Sequence, residues 1–385
     1  MAVRGASMSR VSVVRCPSYE RDQVQAAVNQ AVALLGGWEA FIKPGDKVLL
    51  KPNILVSSPV SAGVTTHPEV MRAAIIGCQQ AGAAEVWVGD SPSVGNAVRA
   101  ADRCGILAVC RETGAQFRPF DKVVERQYPE GLVAKSFLLG EPVTQADKVI
   151  SMAKLKTHAF MVYTGAVKNL YGTIAGLEKG RLHFSYQTPS QFARLLIDLY
   201  HTVQPAFSII DGIMAMEGNG PQSGHLRSLG AVIAGPDGFA VDMVATGIVG
   251  LRPEQVPVLA EAIALGLLPA KAEEIEQLGV PAADLRLSDF KVPAARPTNF
   301  PPFMSNFLRT RMTARPEIIV QKCEACGICR TSCPAQAISI EEHQGRRYAV
   351  IDRDKCIRCY CCQEVCPHDA VRLRHSFVGR LVRWR

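Results

Sequence analysis

A mostly parallel α/β sheet covered by helices, followed by a small cysteine-rich α+β module, is the fold class this sequence predicts. Three observations predict it. Short apolar runs alternate with helix-period segments through the first 290 residues. A stretch without periodicity then breaks the pattern, with Pro293, Pro297, Pro301, Pro302 and Pro316 inside it. Nine of the 13 cysteines lie beyond that break. The organisation reads as a large domain over 1–290, a linker over 291–315, a module over 316–374 and a basic tail over 375–385.

Val11–Val14 reads as a strand and Arg21–Leu35 as a helix, with Val24, Ala27, Val28, Ala31 and Leu35 on its apolar face. Lys47–Leu50 is a buried strand. Thr66 and Glu69 have capping-box spacing at the start of a helix running to Gln80. Glu85–Gly89, Lys148–Met152, Phe207–Ile210 and Ala231–Ala234 are further strands. Ser190–Val203, Ala240–Val249 and Pro253–Leu265 are further helices. Ala115 to Glu141 has a mixed pattern and is expected to carry antiparallel edge strands.

The sharpest motif comes late. Cys323, Cys326, Cys329 and Cys333-Pro334 are spaced C-x2-C-x2-C-x3-C-P, and Cys356, Cys359, Cys362 and Cys366-Pro367 repeat it. This is the thiolate spacing of a bacterial two-cluster ferredoxin, in which the fourth cysteine of each run ligates the other cluster. One [4Fe–4S] cluster is therefore expected on Cys323, Cys326, Cys329 and Cys366. The other is expected on Cys356, Cys359, Cys362 and Cys333. Zinc motifs leave a longer gap between cysteine pairs. A disulfide scaffold needs an export context, and the N-terminus shows no apolar signal region. Cys361 has no place in the pattern and reads as a spectator thiol.

Hydrophobic residues make up 48% of the 385 and aromatic residues 6%, an ordinary soluble composition. No apolar run reaches the ~20 residues of a spanning helix. A cytoplasmic, reducing, low-oxygen setting is the expectation. Of the net charge of +8, +7 falls after residue 300. That basic balance suits an acidic redox partner protein. Nucleic-acid binding is not expected, since no helix-turn-helix or aromatic-basic pattern accompanies the charge. The tail from Phe377 to Arg385 is short, basic and amphipathic. It reads either as contact with an anionic membrane surface or, preferably, as docking on the protein itself.

Open parallel sheets bind ligands beyond the carboxyl ends of their strands, and the unusual residues of the large domain follow strands. They are Lys51 and Asn53, Asp90, the run Lys154-Leu-Lys156-Thr-His158, Asp211 with Glu217, and Asp237. Each alone can be a turn, a cap or a satisfied polar residue, but five strand ends together argue for a site. Lys51, Asn53, Lys154, Lys156 and Asn169 are assigned to binding a small anion, a carboxylate or a phosphate. His158, Lys168, Asp90, Asp211 and Glu217 are assigned to catalysis, and the carboxylates could also hold a divalent metal. If strand geometry continues, Lys154, Lys156 and His158 share one face and Leu155 turns inward. A helix starting between His158 and Lys168 would add its N-terminus to the anion site. The Gly218–Gly224 segment has the wrong spacing for a dinucleotide loop.

Lys51-Pro-Asn53, Thr66-His67-Pro68, Gly89-Asp90-Ser91, Lys154 to His158, Gly165 to Gly172 and Asp211 to Gly220 resemble the signature segments of the DUF362 family. The resemblance covers about residues 10–290 and implies fusion to a two-cluster ferredoxin domain, as here. It implies an iron–sulfur protein and leaves the reaction undefined. The resulting expectation is an iron–sulfur electron-transfer protein that couples one-electron steps to an anionic ligand at the strand ends, a candidate oxidoreductase. A ferredoxin with a non-enzymatic docking or sensing domain is one alternative. A metal-dependent transferase or isomerase with structural clusters is the other.

Overall fold

The structure, a computed structural model, describes residues 9–292 and 313–374 except Leu177. Its large sheet draws on β1 (Arg10–Arg15), β2 (Lys47–Pro52), β3 (Glu85–Val88) and β4 (Gln116–Phe117). A separate antiparallel hairpin follows, β5 (Val123–Gln127) with β6 (Ser136–Gly140). Then come β7 (Lys148–His158), β8 (Val162–Thr164), β9 (Phe207–Glu217), β10 (His225–Gly235) and β11 (Glu276–Gly279). The order across the sheet is β11-β1-β10-β9-β7-β2-β3-β4, with β8 attached to β7. Only β10 and β8 run against the others among these strands.

Strand alternation builds the two covered faces. Val48 and Leu50 of β2 join Val24, Val28, Ile150 and Met152 in one apolar layer. Leu49 joins Ala153, Leu155, Phe192 and Leu196 in the other. The helix Arg21–Ala33 buries Val24, Ala27, Val28, Ala31 and Val32, the stripe its period requires.

Three strands are longer than their apolar runs. Lys148–Met152 continues to His158, Phe207–Ile210 to Glu217, and Ala231–Ala234 begins at His225. Hydrophobicity marks only the buried middle of such a strand, whereas pairing carries on into its polar end. At the predicted capping box the actual cap is His67, whose ring accepts from the Glu69 N–H. Thr66 instead donates to the Met152 carbonyl and accepts from the Asn53 N–H, tying β2 to β7.

The module consists of two small hairpin-like sheets, β12 (Arg315–Ile318) with β15 (Val371–Arg374) and β13 (Ile338–His343) with β14 (Arg346–Ile351). One-turn helices, Ile328–Thr331 and Cys361–Glu364, stand inside the cysteine runs. Most of the proposed linker and all of the basic tail from Phe377 to Arg385 lie outside the described residues.

Candidate functional site

The reversal of β10 sorts the five strand ends. β2, β3, β7 and β9 end at one rim, and β10 ends at the opposite one. Asp237 therefore leaves the candidate site. It caps the helix Gly238–Ile248 by accepting from the Phe239 and Ala240 N–H groups.

The rim itself divides in two. On the β9 side, Lys154 Nζ meets Asp211 Oδ2 at 3.0 Å and donates to Tyr19 OH at 2.7 Å. Tyr19 donates in turn to Asp211 Oδ1, and the His67 N–H adds a third donor to that carboxylate. Lys154 and Asp211 are 1% and 0% exposed. Burial lowers the Lys154 pKa and Asp211 opposes that shift. The group is closed on itself, with Tyr19 supplied by the loop after β1.

Glu217 faces another way, its Oε2 accepting from the Lys291 N–H. Asp211 and Glu217, expected in catalysis, and Lys154, expected to bind the anion, do not line the cavity on the other side of the rim. The carboxylates expected to hold a divalent metal are each engaged separately. Among the described residues no three His, Cys, Asp or Glu side chains converge on a single-ion site.

On the other side of the rim lies a cavity of about 1150 Å³, at the junction with the module. It is roomy by the ~300–1,000 Å³ standard of ligand pockets. Lys51, Asn53, Asp90, Lys156, His158, Lys168 and Asn169 line it from the large domain. Arg330, Cys333, Cys361 and Glu364 line it from the module.

Lys51 is held at 2.7 Å from Asp90 Oδ1 and donates to Asn169 Oδ1 at 3.3 Å. Gly172 is required beside this pair, since a Cβ there would collide with both Asp90 and Lys51. The register on β9 jumps from Lys154↔Asp211 to Lys156↔Met216, so Lys156 has no carboxylate opposite it. Its ammonium donates to Asn53 Oδ1 and the Val64 carbonyl, and burial pushes its pKa far down. Lys154 and Lys156 thus do not grip one anion.

Lys168 is arranged differently. Its Nζ stands 6.0 Å from the Tyr171 ring and makes no hydrogen bond or ion pair among the described residues. Burial lowers its pKa, opposed by Glu364 and Cys361. Lys179 donates to the Ser91 carbonyl, and burial brings its pKa to about 7.

His158 accepts at Nδ1 from the Phe160 and Met161 N–H groups, so its proton resides on Nε2. That nitrogen stands 3.0 Å from Glu364 Oε1. Burial lowers the His158 pKa. Burial alone would raise that of Glu364, but His158 and Lys168 bring it down to about 2. The helix after His158 is a single turn, Ala166–Asn169, and its first N–H groups are already taken by the Asp242 carboxylate. It offers no anion site.

The Gly218–Gly224 segment joins the two domains. Thr157 Oγ1 donates to the Gly218 carbonyl and accepts from the Gly220 N–H. Asn219 bonds Asp369 and receives Gln363 Nε2 at its side-chain oxygen, 3.0 Å each. Gln363 and Glu364 occupy the three-residue spacer between Cys362 and Cys366. Sequence reasoning missed both. Their signal was two polar residues inside a spacer otherwise enclosed by ligands.

The cysteines fall into two sets. Cys333, Cys356, Cys359 and Cys362 line one small cavity with Ile338 and Ile351. Cys323, Cys326, Cys329 and Cys366 line another with Ile318 and Ile340. Backbone N–H groups of Ala337, Ala349 and Ala370 donate to the sulfurs of Cys333, Cys323 and Cys366. Sulfurs placed around an apolar space, with N–H groups aimed at them, suit iron–sulfur clusters. A single zinc would draw all four to about 2.3 Å of one point.

A model of the domain of unknown function DUF362 matches residues 48–247, just over half of the chain. The chain belongs to the DUF362 family. A 4Fe–4S dicluster domain matches residues 322–370 of the same chain. A thylakoid-associated protein of Synechocystis sp. is 36% identical over 284 residues, covering 74% of this DUF362 chain and 87% of its own. Among solved structures, the lactate racemase apoprotein of Thermoanaerobacterium thermosaccharolyticum aligns at a TM-score of 0.40 and 12% identity. That alignment covers 62% of this chain and 56% of the racemase. A Thermotoga maritima protein aligns at 0.39 and 10% identity, covering 60% and 59%. This chain thus spans little more than half of either solved protein. The dicluster domain puts this DUF362 protein in the iron–sulfur electron-transfer class. No helix among the described residues is long and apolar enough to cross a membrane.

Proposed function

We propose that this DUF362 protein carries two [4Fe–4S] clusters, one on each cysteine set, and delivers electrons to a small anionic molecule in the interdomain cavity. The observation that carries this reading is Cys333, which lines both a cysteine cavity and the large cavity. Such clusters, when bound, supply one-electron steps at low potential. The surrounding residues would do the rest. Lys168, and Arg330 from the module, have no partner among the described residues and would pair with the anion. Glu364, 3.0 Å from the protonated Nε2 of His158 and lining the same cavity, would be the route by which that proton reaches a group reduced there. The protein would thus be an oxidoreductase working in a reducing cytoplasm, supplied by an acidic redox protein.

The charge balance refines that partner. Residues 313–374 hold 10 Lys+Arg against 8 Asp+Glu. Two oxidised clusters with their thiolates add about −4, so the loaded module is itself mildly negative. The excess of positive charge resides in 301–312 and 375–385. Association with an acidic partner should therefore weaken with salt through those segments.

Anaerobic calorimetric titration of the cluster-loaded protein with sulfate, phosphate and small carboxylates tests the site. Binding in the wild type and a clear loss in Lys168→Met are expected. Equal binding in both proteins, or none in either, would refute the reading.

A further inference from the structure

Cys361 is the cysteine that the ligand pattern leaves out, and the fold gives it a distinctive position. It lines the small cavity of Cys333, Cys356, Cys359 and Cys362, and it lines the large cavity as well. Cys333 shares that double position, but Cys333 is needed to complete a ligand set. Tyr360 enters the one-turn helix at a φ of 65°, an unusual conformation for a residue with a side chain. Cys361 follows it directly, between the ligand positions Cys359 and Cys362.

The surroundings of Cys361 point to a ligand by a second route. His183 lines the same large cavity, is 5% exposed, and its Nδ1 is buried without a hydrogen-bond partner. Its ring is stacked on Phe192 at 4.4 Å and packed edge-on against Tyr171, so it is fixed in place. Buried polar atoms are normally satisfied, so this part of the cavity wall is incomplete among the described residues. Lys168 lines the same cavity and makes no hydrogen bond or ion pair among the described residues. The cavity therefore brings a thiol together with two groups that have no partner among the described residues, an ammonium and an imidazole Nδ1, beside an expected electron source.

We propose that Cys361 is a redox-active thiol and that the cavity takes an anionic disulfide, which Cys361 attacks and the clusters reduce. The chemistry explains why a non-ligand thiol would stand there. Reducing a disulfide takes two electrons, whereas each cluster would give one, so the substrate has to be held until both have arrived. Cys361 holds it covalently. In the first step a Cys361–substrate S–S bond forms as the substrate's own S–S bond breaks, and the Cys361 proton ends on the departing sulfur. In the second, two electrons and two protons convert the mixed disulfide into the Cys361 thiol and a second free thiol. Clusters, when bound, would supply those electrons one at a time, and a low-potential one-electron donor protein would recharge them. Lys168 and Arg330 pair with the carboxylates of the substrate, so the proposal rests on the anion-binding reading above.

Oxidised glutathione, an anionic disulfide, is the probe. Full-length, cluster-loaded protein in the oxidised state is incubated with it without oxygen, then followed by intact mass, peptide mapping and iron and sulfide content. One glutathione per chain, located on Cys361, is the expected result. The adduct should be absent from Cys361→Ser and formed at least several-fold more slowly in Lys168→Met, with cluster content unchanged in both. Sulfate should slow its formation, and reduction of the clusters with dithionite after removal of free probe should release it.

Intact clusters with no adduct on wild-type Cys361, or reductive turnover of the probe retained in Cys361→Ser, would overturn the proposal. If Cys361→Ser loses its clusters, Cys361→Ala and wild-type peptide mapping still decide the outcome. Sulfate binding without an adduct would remove only the thiol chemistry. Failure of sulfate to bind at all would remove the anion site beneath it.

Discussion

Lys154 and Lys168 belong to the same rim and to the same short stretch of sequence, but the fold treats them differently. Lys154 is opposite Asp211 in the sheet register and closes a cycle with Tyr19. Lys168 follows the turn after β8 and ends in a cavity shared with the module, with no carboxylate bound to it. The first arrangement satisfies every charge internally and therefore has nothing to offer a ligand. The second leaves a charge to be satisfied from outside. A lysine at a strand end becomes a site residue when the register leaves it unpaired, and charge alone does not decide the matter.

Asp211→Ala should have the largest effect, because it leaves the Lys154 ammonium buried and unpaired. Breaking a buried pair in this way costs about 3–5 kcal/mol. Anaerobic thermal melting should show a large fall in midpoint, while Lys168→Met should melt close to the wild type. Similar destabilisation in both variants would erase the distinction between the two halves of the rim.

The effects should reverse when binding is measured. Lys168→Met should lose roughly 1–3 kcal/mol of sulfate affinity, the range for a charge-assisted hydrogen bond. Gln363→Ala comes next. It removes the bonds to Asn219 and Gly220 that hold the module against the rim. A cost of about 1 kcal/mol in stability and a weaker sulfate affinity are expected.

Much of this was legible in the sequence, for reasons that can be named. The alternation of apolar runs marked the strands because buried strand centres are hydrophobic, and the cysteine spacing sorted into the two sets that the fold brings together. Lys51, Asn53, Asp90, Lys156, His158, Lys168 and Asn169 were placed together because parallel strands end at one rim. What failed was anything that depends on direction or register. The reversal of β10 moved Asp237 to the far edge, and the register jump on β9 separated Lys154 from Lys156. Glu364, Cys361 and Arg330 were invisible as site residues because contact between domains leaves no periodic trace in sequence.

A smaller effect concerns pH. Lys179 lines the cavity with a pKa brought down to about 7 by burial. Below that pH it adds a positive charge, and above it the charge is lost. Sulfate keeps its charge over this range, so its affinity should fall modestly as pH rises through about 7. Lys179→Met should flatten the profile. Stability should respond in the opposite sense. Between about 7 and the ordinary lysine value of 10.5 the unfolded chain binds the extra proton, so Lys179 makes the fold more stable as pH rises through that window. A sulfate profile unchanged by Lys179→Met would show that its charge does not reach the cavity.

The central claim is that the cavity and one cluster are electrically adjacent. Midpoint potentials of the two clusters, followed by electron paramagnetic resonance with and without sulfate, test it most directly. An anion beside a cluster disfavours the added electron. Sulfate should therefore lower the potential of one cluster, leave the other nearly unmoved, and need a several-fold higher concentration to do so in Lys168→Met. Potentials that do not move, that move equally, or that respond at the same sulfate concentration in Lys168→Met would contradict the account.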